Sequence, residues 1–450
     1  MNDPAAQPPL ATCHLLIEAG YVVPVQPHAQ VLEDHAVAID QHGRIIAILP
    51  RDQARARFRA KTVVSRPQAA LIPGLVNAHT HNPMTLLRGV ADDLPLMVWL
   101  QEHIWPVENA LMGAEFVADG TRLAIAEMLR GGTTCANENY FFADVSAAVY
   151  KENGFRAMVG AIVIDFPSAW AKNDDEYFER AIGLHEQWQA DALIRPALAP
   201  HAPYTVSDAN FERIRRLSAE RNLPVHLHTH ETAQEINDSL QLHGLRPLAR
   251  LDQLGIVNER LIAVHMTQLT ADEIALCAQR KVSVVHCPES NLKLASGFCP
   301  AHALHQAGVN LAIGTDGCAS NNDLDMFSEN RTAAILAKAV AADATALDAA
   351  TVLQAATLGG ARALGLDHQI GSIEVGKQAD LVCVDLSALE TQPLHNVLSQ
   401  LVYATGRHQV SDVWIAGQPK LIERQLVDMD EAAICANAQQ WQARIAAIQR

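Results

Sequence analysis

The 450-residue chain contains no apolar run approaching the roughly twenty residues that a membrane-spanning helix requires. It has no CxxC pair. Its eight cysteines, Cys13, Cys135, Cys277, Cys287, Cys299, Cys318, Cys383 and Cys435, are scattered. A disulfide framework is therefore not expected; these are read as small buried thiols in a reducing cytoplasm. Positive charge is also scarce. Lysine and arginine number 34 against 50 acidic residues, a formal net charge of −16. That balance argues against a nucleic-acid-binding surface, which needs basic patches. The opening "MNDPAAQPPLATCHLL" lacks a basic region followed by a long apolar core, so no secretory leader is expected. No short-period repeat and no low-complexity segment is found.

What is present is an ordinary globular composition, 49% hydrophobic, at a length that accommodates one large domain and a smaller one. Short strand-like runs and turns fill the start ("CHLLIEAGYVVPV", "HAVAID", "RIIAILP"). The same texture returns late, in "GSIEVGKQADLVCVDL" and "VSDVWIAGQPKLI". Between them, strand-like and helix-like segments alternate many times, which implies a parallel sheet. That many units fit a closed (β/α)₈ barrel better than a doubly wound sheet. The last stretch, "DEAAICANAQQWQARIAAIQR", reads as a surface helix.

The polar residues of this alternating region are not spread at random. "LIPGLVNAHTHNPM" ends an apolar run with His79 and His81, which share one face of a strand because they are two residues apart. His201 follows "IRPALAP", "VHLHTHET" carries His226, His228, His230 and Glu231, "LIAVH" ends in His265, and "LAIGTD" ends in Asp316. One His-x-His pair could be two core imidazoles with carbonyl partners. Histidines at the ends of several strands point instead to a metal site, because a barrel gathers all C-terminal strand ends on one face.

Taken together and in order, "PGLVNAHTHNPMTLLRG", "HLHTHETAQE", "AVHMTQLT", "SNLKLASG" and "GTDGCASNNDLDMF" resemble the amidohydrolase superfamily. More narrowly they resemble its aminohydrolase branch, which includes chlorotriazine hydrolases and 5′-methylthioadenosine/S-adenosylhomocysteine deaminases. The resemblance implies a distorted (β/α)₈ barrel beside a small β-sandwich built from both chain ends. The expected division is 1–69 for the N-terminal part of the sandwich, 70–368 for the barrel, and 369–450 for the rest of the sandwich and the terminal helix. It also implies one zinc per chain, with Fe²⁺ or another divalent metal as alternatives, held by His79, His81, His228 and Asp316. Many relatives bridge two metals through a carbamylated lysine on the fourth strand; "IRPALAPHAPYTV" has no lysine, which favours one metal.

The implied reaction is hydrolytic deamination of an adenine nucleoside, 5′-methylthioadenosine and/or S-adenosylhomocysteine, with adenosine a further candidate. Zinc would lower the pKa of a water to about 7. Glu231, His265 and Asp316 are the expected catalytic groups, with Glu231 carrying a proton from water to the ring nitrogen beside the reacting carbon. Glu108 in "QEHIWPVENAL" matches a glutamate that holds the ribose hydroxyls. Arg156 and His201 match substrate contacts, with Glu231 and Asp316 also touching substrate. A strand-edge salt bridge is the plainer reading of Arg156. His226 and His230 are read as packing or supporting groups, and Trp99 and Trp105 as packing or as a cover for the base. A small-molecule nucleoside partner, no nucleic acid, no membrane, and a homo-oligomer (dimer or tetramer) complete the expectation. Two alternatives stand beside it: a guanine, cytosine or triazine aminohydrolase on the same scaffold, and a non-catalytic metal or nucleoside binder.

Overall fold

The computed structural model of the chain describes residues 10–448. Among the described residues, sixteen strands fall into two eight-stranded sheets. One is the barrel. Its strands, in chain order, are β5 (Leu75–Thr80), β6 (Thr133–Tyr140), β7 (Arg156–Val163), β8 (Ile194–Pro200), β9 (Val225–Thr229), β10 (Leu261–His265), β11 (Ser283–His286) and β12 (Asn310–Ile313). Neighbours pair in parallel, in sequence order, with helices between most of them. Strands buried on both faces read as continuous apolar runs, and β7 (RAMVGAIV) is buried at every position.

The barrel is distorted at two seams. β8 and β9 share a single register pair, Leu198 with Val225. The ring closes beyond the end of β12, where the Asp316 amide donates to the His79 carbonyl at 3.0 Å and Thr80 bridges Asp316. Gly314 makes this approach possible, since a Cβ there would lie 2.8 Å from the His79 backbone nitrogen.

The second sheet draws on both ends of the chain. Its order is β16 (Gln425–Leu426), β15 (Gln418–Ile422), β14 (Val410–Ile415), β13 (Leu381–Asp385), β4 (Phe58–Pro73), β1 (Ala11–Val22), β2 (Leu32–Ile39) and β3 (Ile45–Pro50). The expected sandwich is thus one continuous sheet curled on itself. Alternate residues of β1 and β2 (Leu15, Ile17, Val37, Ile39) share a core with Leu381, Cys383 and Trp414 from the far end. The turn at Gly43 (φ +74°) closes against the Ala416 carbonyl, where a Cβ would meet it at 1.9 Å. The opposite face, with Ile72, Val382, Val384, Val410 and Val413, packs on the barrel's helical layer.

The last helix, Glu431–Ile448, lies on the surface as its sequence suggests, and buries Trp441 and Ile445 beside Phe116 and Val107. The cysteines are all free. Seven are buried as expected, but Cys435 is exposed, because it lies on the outer face of the surface helix Glu431–Ile448. No described helix is long and apolar enough to cross a membrane.

Candidate metal centre and substrate cavity

Strand geometry puts the histidines where the sequence suggests. His79 and His81 leave the end of β5 on one face, His228 is the fourth residue of the short β9, and Asp316 follows β12. Their ligand atoms all lie within 4.8 Å of one another. His228 Nε2 is 3.2 Å from His79 Nε2 and 3.3 Å from His81 Nε2. Asp316 Oδ1 is 3.1 Å from His79 Nε2 and 3.2 Å from His81 Nε2. Tetrahedral ligands about 2.0–2.1 Å from a metal stand roughly 3.3 Å apart, so these spacings suit a divalent cation.

The far side of each ring supports that fit. His81 Nδ1 donates to the Asn139 carbonyl at 2.5 Å, and His228 Nδ1 to the His201 carbonyl at 2.6 Å. His79 Nδ1 faces His226 Nε2 at 2.9 Å. With the proton on Nδ1, each ring turns an Nε2 lone pair to the centre. Asp316 is held as firmly. Ser290 Oγ (2.6 Å) and Ser320 Oγ (3.0 Å) donate to its Oδ2, and the Gly317 amide to its Oδ1 at 2.8 Å. Its φ of +66° is unusual for a residue with a side chain and costs about 1–3 kcal/mol.

The electrostatics follow from burial and from this carboxylate. Burial pushes His79 down to about 4 and His228 well below its ordinary value. Burial also opposes a proton on His81, but Asp316, the Asn139 carbonyl and Glu138 outweigh it and lift that ring to about 9, so a cation entering the centre would have to displace the His81 Nε2 proton. Burial opposes ionisation of Asp316 too; its contacts with His79 and His81 prevail and hold it well below the usual carboxylate range.

A cavity of about 310 Å³ opens above the cluster. Glu231, His265, His201 and Glu108 all line it. Glu231 Oε2 is 3.9 Å from His265 Nε2, whose Nδ1 faces Asn291 Oδ1 at 2.9 Å. The Glu231 carboxylate is not spent on capping the next helix. Thr232 Oγ1 accepts from the Glu235 amide, and the Glu235 carboxylate accepts from the amides of His230 and Glu231. Burial raises the Glu231 pKa.

His201 is anchored through Nδ1 to Thr205 Oγ1 at 3.1 Å. Burial pushes it down to about 4, which keeps the ring neutral. Glu108, buried on the short helix Trp105–Leu111, accepts from the Tyr140 hydroxyl, and burial pushes it up to about 7. Trp99 and Trp105 line the same cavity.

Two residues sit elsewhere. Arg156 opens β7 at the end remote from the cavity, and its guanidinium forms a fully buried bidentate pair with Asp380 at 2.7 and 3.1 Å. β7 presents Ile162, and Ile164 just beyond it, to the cavity instead. The expectation of Arg156 as a substrate contact is therefore corrected to a structural ion pair between the barrel and the second sheet. His230 lies past the end of β9 with φ +55°, so strand parity no longer applies, and its Nε2 accepts from the Leu248 amide at 3.0 Å.

Sequence reasoning missed the groups that hold the others: Tyr140 behind Glu108, Ser290 and Ser320 behind Asp316, and Asn139 behind His81. Ser290 and Ser320 stand inside the motifs "SNLKLASG" and "GTDGCASNNDLDMF", and Asn139 and Tyr140 are polar residues at the "NENY" end of β6, but nothing local assigns any of them its partner.

A parallel barrel with three imidazoles and an aspartate converging under a cavity, flanked by a buried glutamate and a fourth imidazole, defines a metal-dependent hydrolase scaffold. Residues 70–420 match the amidohydrolase family, and the chain belongs to it. It is 47% identical over 431 residues to a 5-methylthioadenosine/S-adenosylhomocysteine deaminase of Teredinibacter turnerae, covering 96% of this chain and 97% of that one. The crystal structure of an adenosine deaminase from Xanthomonas campestris with bound zinc superposes with a TM-score of 0.97 at 76% identity. The match covers 98% of this chain and 100% of that one. The atrazine chlorohydrolase of Arthrobacter aurescens, at 22% identity and TM-score 0.89 over 95% of this chain and 99% of its own, shares the fold.

Proposed function

We propose that the protein is a zinc-dependent hydrolytic deaminase of adenine nucleosides. It converts 5′-methylthioadenosine and/or S-adenosylhomocysteine, with adenosine as a further candidate, to the inosine analogue and ammonia. The observation that carries this reading is the convergence of His79, His81, His228 and Asp316 beneath a cavity that also holds Glu231 and Glu108. The names of the similar proteins support it. One zinc per chain is expected, because β8 (IRPALAP) offers no lysine to bridge a second. A cytoplasmic homo-oligomer is part of the same reading.

Zinc held by His79, His81, His228 and Asp316 would supply Lewis-acid activation of water at neutral pH. The chain's own groups manage the protons and the substrate. Water's oxygen adds to C6 of the purine, and the C6–N6 bond breaks to release ammonia. Glu231 takes the proton from water and delivers it to N1, which makes C6 electrophilic. Its raised pKa suits a group that must both accept and give a proton. His265, braced by Asn291, and Asp316, braced by Ser290 and Ser320, orient the attacking water, take its second proton from the C6 hydroxyl of the adduct and pass it to the departing amine, which leaves as ammonia.

Glu108 accepts hydrogen bonds from the vicinal ribose hydroxyls, a two-acceptor task that suits a carboxylate. His201, neutral and fixed by Thr205, hydrogen-bonds the bound nucleoside. The test is ammonia release by the zinc-loaded protein with methylthioadenosine, S-adenosylhomocysteine, adenosine, guanine and a chlorotriazine. Turnover confined to the adenine nucleosides is expected; turnover of guanine or the triazine alone would overturn the reading.

A further inference from the structure

The placement of Arg156 bears on which nucleosides the cavity prefers. S-Adenosylhomocysteine differs from methylthioadenosine at the 5′ end, where its tail carries a carboxylate and an ammonium. A buried carboxylate is costly unless a cation or several donors meet it. Among the described residues, no lysine or arginine lines the cavity. Its ionisable members are imidazoles, the carboxylates Glu108, Glu231 and Asp316, and the phenols Tyr140 and Tyr204, none of which supplies a fixed positive charge. Much of the rest is apolar, with Leu96, Phe141, Ile164, Phe166 and Leu294 among it.

Arg156 cannot fill the gap. It lies at the start of an eight-residue strand whose other end meets the cavity, roughly 23 Å away at about 3.3 Å per residue. It is also locked to Asp380. Lys293, which adjoins the lining residue Leu294 in sequence, is tied to Asp92 and Asn322.

We propose that this cavity selects adenine nucleosides by the charge of the 5′ substituent, accepting an uncharged hydroxyl or alkylthio group and disfavouring a zwitterionic amino-acid tail. The proposal rests on the nucleoside-deaminase reading above and narrows its substrate class. The cavity end of β7 presents Ile162 and Ile164, which offer a tail carboxylate neither a cation nor a side-chain donor.

The test compares four ligands of the zinc-loaded protein: methylthioadenosine, adenosine, S-adenosylhomocysteine and 5′-isoamylthioadenosine. The last copies the length and branching of the homocysteine tail without its charges. Two quantities are read: kcat/KM by ammonia release, and Kd by calorimetry on Glu231→Gln, which removes the proton carrier and not the tail's surroundings. The isoamylthio compound should bind within tenfold of methylthioadenosine, and S-adenosylhomocysteine at least tenfold more weakly than the isoamylthio compound. A gap in Kd smaller than tenfold between those two overturns the proposal, whatever the cause. If binding follows this ranking but no nucleoside is deaminated, the deaminase reading fails and charge selection stands. If all four are deaminated with the gap absent, the reverse holds.

Discussion

His226 stands directly behind His79, its Nε2 2.9 Å from that ring's Nδ1, and so determines which nitrogen of His79 faces the metal centre. Groups of this kind orient a ligand and raise its basicity, and their loss typically weakens metal binding about 10–100-fold. His226→Ala is expected to release zinc to a competing chelator in that range, while His226→Gln, whose amide oxygen can accept the same bond, retains more of it. Equal affinity in both variants and the parent would show that His79 needs no such support.

Glu231→Gln should keep its zinc, because Glu231 is not one of the four converging ligands. It should lose roughly 10²–10⁴-fold in kcat, the usual contribution of a positioned acid–base group. Metal analysis and ammonia release on the same preparation check both halves. Near-normal turnover would remove Glu231 from the proton path.

Glu108 gives a pH signature. Burial raises its pKa from the ordinary 4.5 to about 7, so the carboxylate is the minority form below that pH. The protonated acid has one acceptor oxygen fewer for the ribose diol. KM for methylthioadenosine should therefore climb as pH falls below about 7, approaching tenfold per unit, while KM for its 2′,3′-dideoxy analogue stays flat. Glu108→Gln should lose about one to two powers of ten in kcat/KM for the diol substrate, the worth of a charged hydrogen bond of roughly 1.5–3 kcal/mol, and little for the analogue. Equal discrimination by parent and variant would detach Glu108 from the ribose.

Arg156→Ala should destabilise the fold by about 3–5 kcal/mol, because it leaves Asp380 charged and unpaired in the interior. Denaturant unfolding measures this. The KM values of the folded fraction should be unchanged for every nucleoside. An unaltered stability with weakened S-adenosylhomocysteine binding would return Arg156 to the substrate.

Chelation should abolish turnover, and one equivalent of zinc per chain should restore it. A requirement for two equivalents would contradict the lysine-free β8.

Local periodicity made the barrel and most of the centre legible. His79 and His81 share a strand face at i and i+2, and the apolar runs before His228, His265 and Asp316 mark strands whose ends must gather on one barrel face. Parity failed at His230 because β9 stops at Thr229 and the backbone turns left-handed there. Arg156 misled for a different reason. A matching arginine in a motif does not say which end of its strand it occupies, and the partner that claims it, Asp380, lies 224 positions away. The groups that hold Asp316 and Glu108 lie nearer in sequence, Ser320 four positions, Ser290 26 and Tyr140 32 from the carboxylate each one meets, but they come from loops and strands whose meeting no periodicity encodes. The sheet's two halves carried the same texture at both ends of the chain, yet its curl depends on Gly43 meeting Ala416, a contact no local pattern encodes.

The strand that leads into the metal centre, β4, pairs at Leu71, Ile72 and Pro73 with Cys383, Val382 and Leu381. On the ribosome, that edge emerges about three hundred residues before its partner, which at about 5–20 residues per second is roughly 15 to 60 seconds. For that interval the nascent chain presents an apolar strand with bare amides and carbonyls, the kind of surface that recruits other chains. Yield in a cell should accordingly depend on translation speed and on chaperones that shield this edge, even for variants whose finished fold is as stable as the parent's.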